Sequence, residues 1–131
     1  MSKSNAPAMR STLGQVRGLG AGGSGVVEHW RAERITAIAL VPLTIWFVVS
    51  VLRLIGAPQP VVAHWAGEPV NTVLLLALIA MTFHHMQLGL QVIIGDYIHS
   101  KPLELAATLA NKGIALLLAL FAAVAVLKMA F

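Results

Sequence analysis

Three long apolar runs, each closed off by polar residues, set the pattern of this chain. The first, Ile35 to Leu52, contains no charged residue. A helix of about 20 apolar residues crosses the hydrocarbon of a bilayer, and this run reaches that length with Arg53 snorkelling at its end. Pro42 lies inside it, a residue that membrane helices tolerate when neighbours satisfy the freed carbonyl. The second run extends from Asn71 to about Gly95. The third, Leu103 to Phe131, carries Asn111 and Lys112 early and Lys128 late, and its uninterrupted apolar part is Gly113 to Leu127. Lys112 is expected near the headgroups, with the helix starting above the membrane. The expected fold is all-α, with three transmembrane helices at about residues 34–55, 71–95 and 104–129.

The connections fit this pattern. Gly56-Ala57-Pro58-Gln59-Pro60 ends the first span. Val61 to Asn71 holds Trp65, Glu68 and Pro69 but no Lys or Arg, and reads as a short segment on the outer interface with His64 at its surface. Asp96 to Pro102 is a polar connection; Ser100 or a neighbour caps the next helix, with Pro102 in its first turn. Residues 1–27 form a flexible basic N-terminal segment rich in Gly, Ser and Ala, and residues 28–131 form the membrane domain. The leader lacks the apolar core of a secretory signal. Its acid-poor, Arg- and Ser-bearing composition leaves an organelle transit peptide or an unprocessed bacterial tail open. Its glycines follow no strand, which argues against a phosphate loop. Glu28 to Arg34 is a polar approach to the membrane, where Trp30 suits the interface.

Composition agrees. The chain has 131 residues, 58% hydrophobic and 11% charged, with a mean hydropathy of +0.83, which excludes an ordinary soluble domain and a disordered one. With no cysteine, disulfides, zinc–cysteine sites and iron–sulfur ligation by this chain are ruled out. The net charge of +4 reflects topology better than nucleic-acid binding. Lys3, Arg10, Arg17, Arg31, Arg34 and Lys101 flank one side, and Arg53 and Lys128 the other. The positive-inside rule then puts the N-terminus and the Asp96 loop in the cytoplasm, or in the matrix of a mitochondrion, and the C-terminus opposite. Three spans make a thin bundle, so partner helices are expected.

The candidate chemistry lies at the end of the second span, in Phe83-His84-His85-Met86-Gln87-Leu88-Gly89-Leu90-Gln91-Val92-Ile93-Ile94-Gly95-Asp96-Tyr97. Ionisable groups deep in a span are costly and are functional candidates by default. His85, Gly89, Val92 and Asp96 share one helical face, and His84, Leu88, Gln91 and Gly95 share another about 100° away. Gly89, one turn from His85, leaves room for a flat bulky group against the backbone. Tyr97 lies about 18 Å further along the axis at 1.5 Å per residue. The helix thus offers a possible metal ligand inside the bilayer and an Asp–Tyr pair at its surface. The plainer alternatives are a histidine that only hydrogen-bonds a neighbouring helix and a tyrosine of the interfacial belt.

Arg34-Ile35-Thr36-Ala37-Ile38-Ala39-Leu40 opens the first span, and His85-(three residues)-Gly89-(six residues)-Asp96-Tyr97 closes the second. With this order and layout, residues 28–131 resemble the smaller hydrophobic anchor subunits of succinate dehydrogenase, respiratory complex II. The resemblance implies half of a heterodimeric anchor bundle, completed by a second anchor subunit of cytochrome b type that supplies the other haem ligand. By position, it implies His85 as an axial ligand to the iron of haem b, and Tyr97 as hydrogen-bonding a carbonyl oxygen of ubiquinone. Asp96 adjoins Tyr97 at the same site, and Arg34 stands near the haem propionates and the quinone pocket. Neutral imidazole ligates haem iron, arginine pairs with carboxylates and a phenol donates to a quinone oxygen. His84 is an extra histidine beside the ligand; His85 is preferred because Gly89 lies one turn beneath it.

The implied role is docking of the flavoprotein and iron–sulfur subunits to a bacterial inner membrane, or less readily a mitochondrial one, in the tricarboxylic acid cycle and aerobic electron transport. The chain carries no flavin or iron–sulfur motif, so it is a non-catalytic subunit that supplies part of the quinone site. Two alternatives stand beside this: a fumarate reductase anchor, and a small proton or ion transport subunit using His84, His85 and Asp96 as titrating groups.

Overall fold

The computed structural model describes residues 24–131. They form four helices: α1 (Ser24–Leu54), α2 (Gln59–Gly67), α3 (Pro69–Tyr97) and α4 (Lys101–Ala130). Among the described residues there is no strand. The three long helices, α1, α3 and α4, are long and apolar enough to cross a membrane. The helix of the first span starts at Ser24, earlier than the apolar pattern marks, because Ser24 to Arg34 has no helix breaker after Gly25. The remaining leader lies outside the described residues. Pro42 sits within α1 without ending it.

Local chemistry sets the helix ends. Gly56 adopts φ +77°, a left-handed conformation that side chains resist, and Ala57 N–H donates to the Leu54 carbonyl at 3.0 Å. Pro58 then precedes α2, which fills the segment expected at the outer interface. Glu68 ends α2 and opens α3; its N–H donates to the His64 carbonyl at 3.1 Å. Two buried side chains of α3 reach back across this corner. Asn71 Nδ2 donates to the Trp65 carbonyl at 2.8 Å and to Glu68 Oε2 at 2.9 Å. Thr72 Oγ1 donates to the Ala66 carbonyl at 2.6 Å. These bonds satisfy carbonyls that a helix C-terminus leaves without intrahelical partners. At the other end, Ser100 holds the N-cap position of α4 but its side chain makes no cap bond; its carbonyl accepts from Glu104 N–H at 2.8 Å.

Buried positions are few, and as many are polar as apolar. Ala66, Leu75, Leu88 and Ala115 are buried, and so are Thr36, Asn71, Thr72 and Asn111. A soluble domain would not show this balance. In a bilayer the apolar side chains gain little by hiding from lipid, whereas polar ones must find partners inside the protein. α3 and α4 are joined this way: Gln91 Nε2 donates to Thr108 Oγ1 at 2.8 Å, and Asn111 Nδ2 to the Gln87 carbonyl at 2.9 Å. α1 stands looser, touching α2 through a stack of Trp46 on Trp65 with ring centroids 5.8 Å apart and α3 through Thr36.

Candidate functional site in the third helix

His85 is half-buried on α3, and its Nδ1 lies 2.9 Å from Thr36 Oγ1 of α1. With Nδ1 engaged, Nε2 is the nitrogen left for a ligand. One turn on, Gly89 is exposed, and a Cβ built there would meet nothing within 4 Å. A flat group can therefore approach the backbone beside the imidazole. Val92 and Asp96 continue this face and are exposed. Among the described residues no three His, Cys, Asp or Glu side chains converge to hold a bare metal ion.

His84 points elsewhere. It lines an open cavity of about 270 Å³ between α3 and α4, with Phe83, Gln87, Lys112 and Ala115 among the walls. The two histidines, about 100° apart on the helix, thus serve different neighbours.

The contacts also fix relative depth. Trp46 meets Trp65 while Thr36 meets His85, so α1 and α3 run antiparallel. Arg34 stands two residues before Thr36, about 3 Å along the axis, whereas Tyr97 is twelve residues beyond His85, about 18 Å. Arg34 therefore sits near the level of His85, roughly 15 Å short of Tyr97 by the same rise. The sequence pattern suggested one interface for both. Asp96 and Tyr97 end α3 and are exposed, Tyr97 at 78%. The Asn111–Gln87 bond puts Lys112 of α4 at nearly the depth of His85 as well.

Arg34, His85 and Lys112 thus lie at nearly one depth on the three long helices. α1, α3 and α4 have 31, 29 and 30 residues, about 45 Å each at 1.5 Å per residue. A hydrocarbon layer of about 30 Å takes only about 20 of them. Each of the three helices is thus longer than the layer by about ten residues. Asp96 and Tyr97 stand about 16–18 Å from His85 along α3.

The sequence singled out His85, Gly89, Asp96, Tyr97 and Arg34. It assigned no role to Thr36, although this residue lies in the Arg-x-Thr-Ala opening, nor to the Gln91–Thr108 and Asn111–Gln87 pairs. A polar residue inside an apolar run was the available signal for each.

Comparison with known proteins gives a consistent picture. Residues 9–127 match the family described as succinate dehydrogenase/fumarate reductase transmembrane subunit, so the match reaches into the leader that the motif resemblance left out. The succinate dehydrogenase hydrophobic membrane anchor subunit of Rickettsia bellii (strain RML369-C) is 30% identical over 103 residues, 79% of this chain and 82% of the relative. The protein of the same name from Rickettsia felis (strain ATCC VR-1525 / URRWXCal2) is 31% identical over 71 residues, 54% of this chain and 59% of the relative. That from Paracoccus denitrificans is 31% identical over 80 residues, 61% of each chain. No solved structure gives a significant match.

Proposed function

The chain belongs to the succinate dehydrogenase/fumarate reductase transmembrane subunit family, and we propose that it anchors a succinate:quinone oxidoreductase, holds haem b through His85 and forms part of the ubiquinone site. The observation that carries this reading is the state of His85: Nδ1 occupied by Thr36, Nε2 left over, and the open Gly89 surface beside it. Haem bound there supplies a one-electron carrier inside the membrane. Arg34, near the same level, offers a guanidinium for the propionates.

Asp96 and Tyr97 serve the quinone. In this reading electrons come from soluble flavin and iron–sulfur subunits, and this chain, having no cysteine, holds no thiolate-ligated cluster itself. The quinone head must come close to the last cluster while its tail stays in lipid, and the loop end of α3 meets both demands. Tyr97 O–H donates a hydrogen bond to a quinone oxygen, which stabilises charge developing there during reduction. The exposed apolar surfaces of α1, α3 and α4, including Ile38, Ile45, Leu90 and Phe121, are left for lipid and for a second anchor subunit, which would supply a further haem ligand. The Lys and Arg bias orients the N-terminus to the cytoplasm of a bacterial inner membrane.

The names of the relatives favour succinate oxidation over fumarate reduction. The proton-transport reading loses support from geometry: His84 and His85 face different helices, and Asp96 is eleven residues from His85, about 16 Å, too far for a direct relay. The test is a reduced-minus-oxidised spectrum of the purified complex. A low-spin haem b signal that disappears in His85→Leu is expected. A complex that reduces quinone and contains no haem would refute the haem assignment.

A further inference from the structure

Thr36 does more than fill a place in α1. Thr36 is buried, 4% exposed, and its hydroxyl has three neighbours: the Ala32 carbonyl at 2.8 Å, the Glu33 carbonyl at 3.0 Å and His85 Nδ1 at 2.9 Å. A hydroxyl carries one proton and two lone pairs. The two carbonyls can only accept, so the proton is best shared between them, as threonine does on a helix when it bonds back to the preceding turn. If the proton went to Nδ1 instead, the oxygen would face two carbonyl oxygens at hydrogen-bond distance with nothing between them. The arrangement in which all three contacts attract has His85 Nδ1–H donating to Thr36 Oγ1.

From this geometry we propose that Thr36 is the positioning residue for His85: it selects the Nδ1–H tautomer, fixes the ring's rotation and sets the basicity of Nε2 toward the haem iron. The inference rests on the reading of His85 as the axial ligand. Ligating histidines are oriented and made more basic by the acceptor on their other nitrogen. The acceptor here is a neutral hydroxyl on another helix, held by backbone carbonyls rather than by a carboxylate. With Thr36 buried, little water reaches the acceptor to compete for the bond. It also ties α1 to the cofactor face of α3, where the two helices otherwise pack loosely.

The experiment uses the complete four-subunit complex, purified with Thr36→Val, Thr36→Ser and His85→Leu variants of this chain. Haem content, low-spin electron paramagnetic resonance and the haem midpoint potential are measured. Thr36→Val keeps the side chain's shape and removes the acceptor. It is expected to raise the midpoint potential, because a less basic imidazole stabilises ferric iron less, and to broaden or shift the low-spin signal. Thr36→Ser should restore both. Thr36→Cys, whose sulfur is a weak acceptor, reads the same shift where the valine variant does not assemble. If His85→Leu keeps the native signal, the ligand assignment fails and this inference with it. If His85→Leu loses the signal while Thr36→Val matches the native potential and spectrum, only the role of Thr36 is overturned. Failure of both Val and Cys variants to assemble, with Ser normal, overturns it in favour of a purely structural hydroxyl.

Discussion

His84 and His85 are adjacent in the chain but serve different helices: His85 meets Thr36 of α1 at 2.9 Å, while His84 lines the cavity shared with α4. Only the His85 ring stands on the face opened by Gly89. His85→Leu is therefore expected to abolish the low-spin haem signal, and His84→Leu to leave it largely intact. Optical difference spectra of the two purified variants check this, and the reverse pattern would exchange the two assignments.

Gly89 gives a second handle on the same face. A Cβ there meets open space, so the chain's own packing tolerates a side chain. A large one occupies the surface against which haem would lie. Gly89→Leu should assemble but lose most of its haem. A variant with full haem content would show that the cofactor does not lie over Gly89.

Tyr97→Phe keeps the ring and removes the donor. Loss of one hydrogen bond to a polarised oxygen costs about 1.5–3 kcal/mol, and each 1.4 kcal/mol is about tenfold in rate. Succinate–quinone reductase activity should fall by about tenfold or more. Succinate oxidation with an artificial acceptor at the soluble subunits should persist, and haem should stay bound. Normal quinone reduction would reduce Tyr97 to a membrane-interface feature.

Gly67 packs against the end of α4: a Cβ there would lie 2.9 Å from the Ala130 carbonyl oxygen. Gly67→Ala must displace backbone, a cost of about 1–3 kcal/mol for overpacking. A lowered thermal midpoint of the detergent-solubilised complex is expected, with the haem spectrum unchanged because His85 lies about 24 Å along α3 from this corner. An unshifted midpoint would mean that the end of α4 yields freely.

The charge bias predicts opposite sides for the two termini. A reporter fused after Phe131 should be active only outside the cytoplasm, and one fused before Met1 only inside. A cytoplasmic C-terminal reporter would invert the topology and move Tyr97 away from soluble subunits in the cytoplasm.

The amino-acid sequence alone marks the three long apolar helices, because an apolar run of bilayer length has few other ways to satisfy its backbone. It also determined that His85, Gly89 and Asp96 share a face and that His84 does not, since the helical period fixes angles within one helix. It could not say which neighbour each face meets. That depends on the rotation and axial offset between helices, set by contacts between distant residues such as Thr36 and His85, 49 positions apart. The same offsets decided that Arg34 lies near the level of His85 rather than that of Tyr97, and that Asn111 pairs with the Gln87 carbonyl. The corner made by Asn71 and Thr72 escaped notice for a related reason. Their partners are backbone carbonyls of α2, whose need for donors arises only once the chain has turned from α2 into α3.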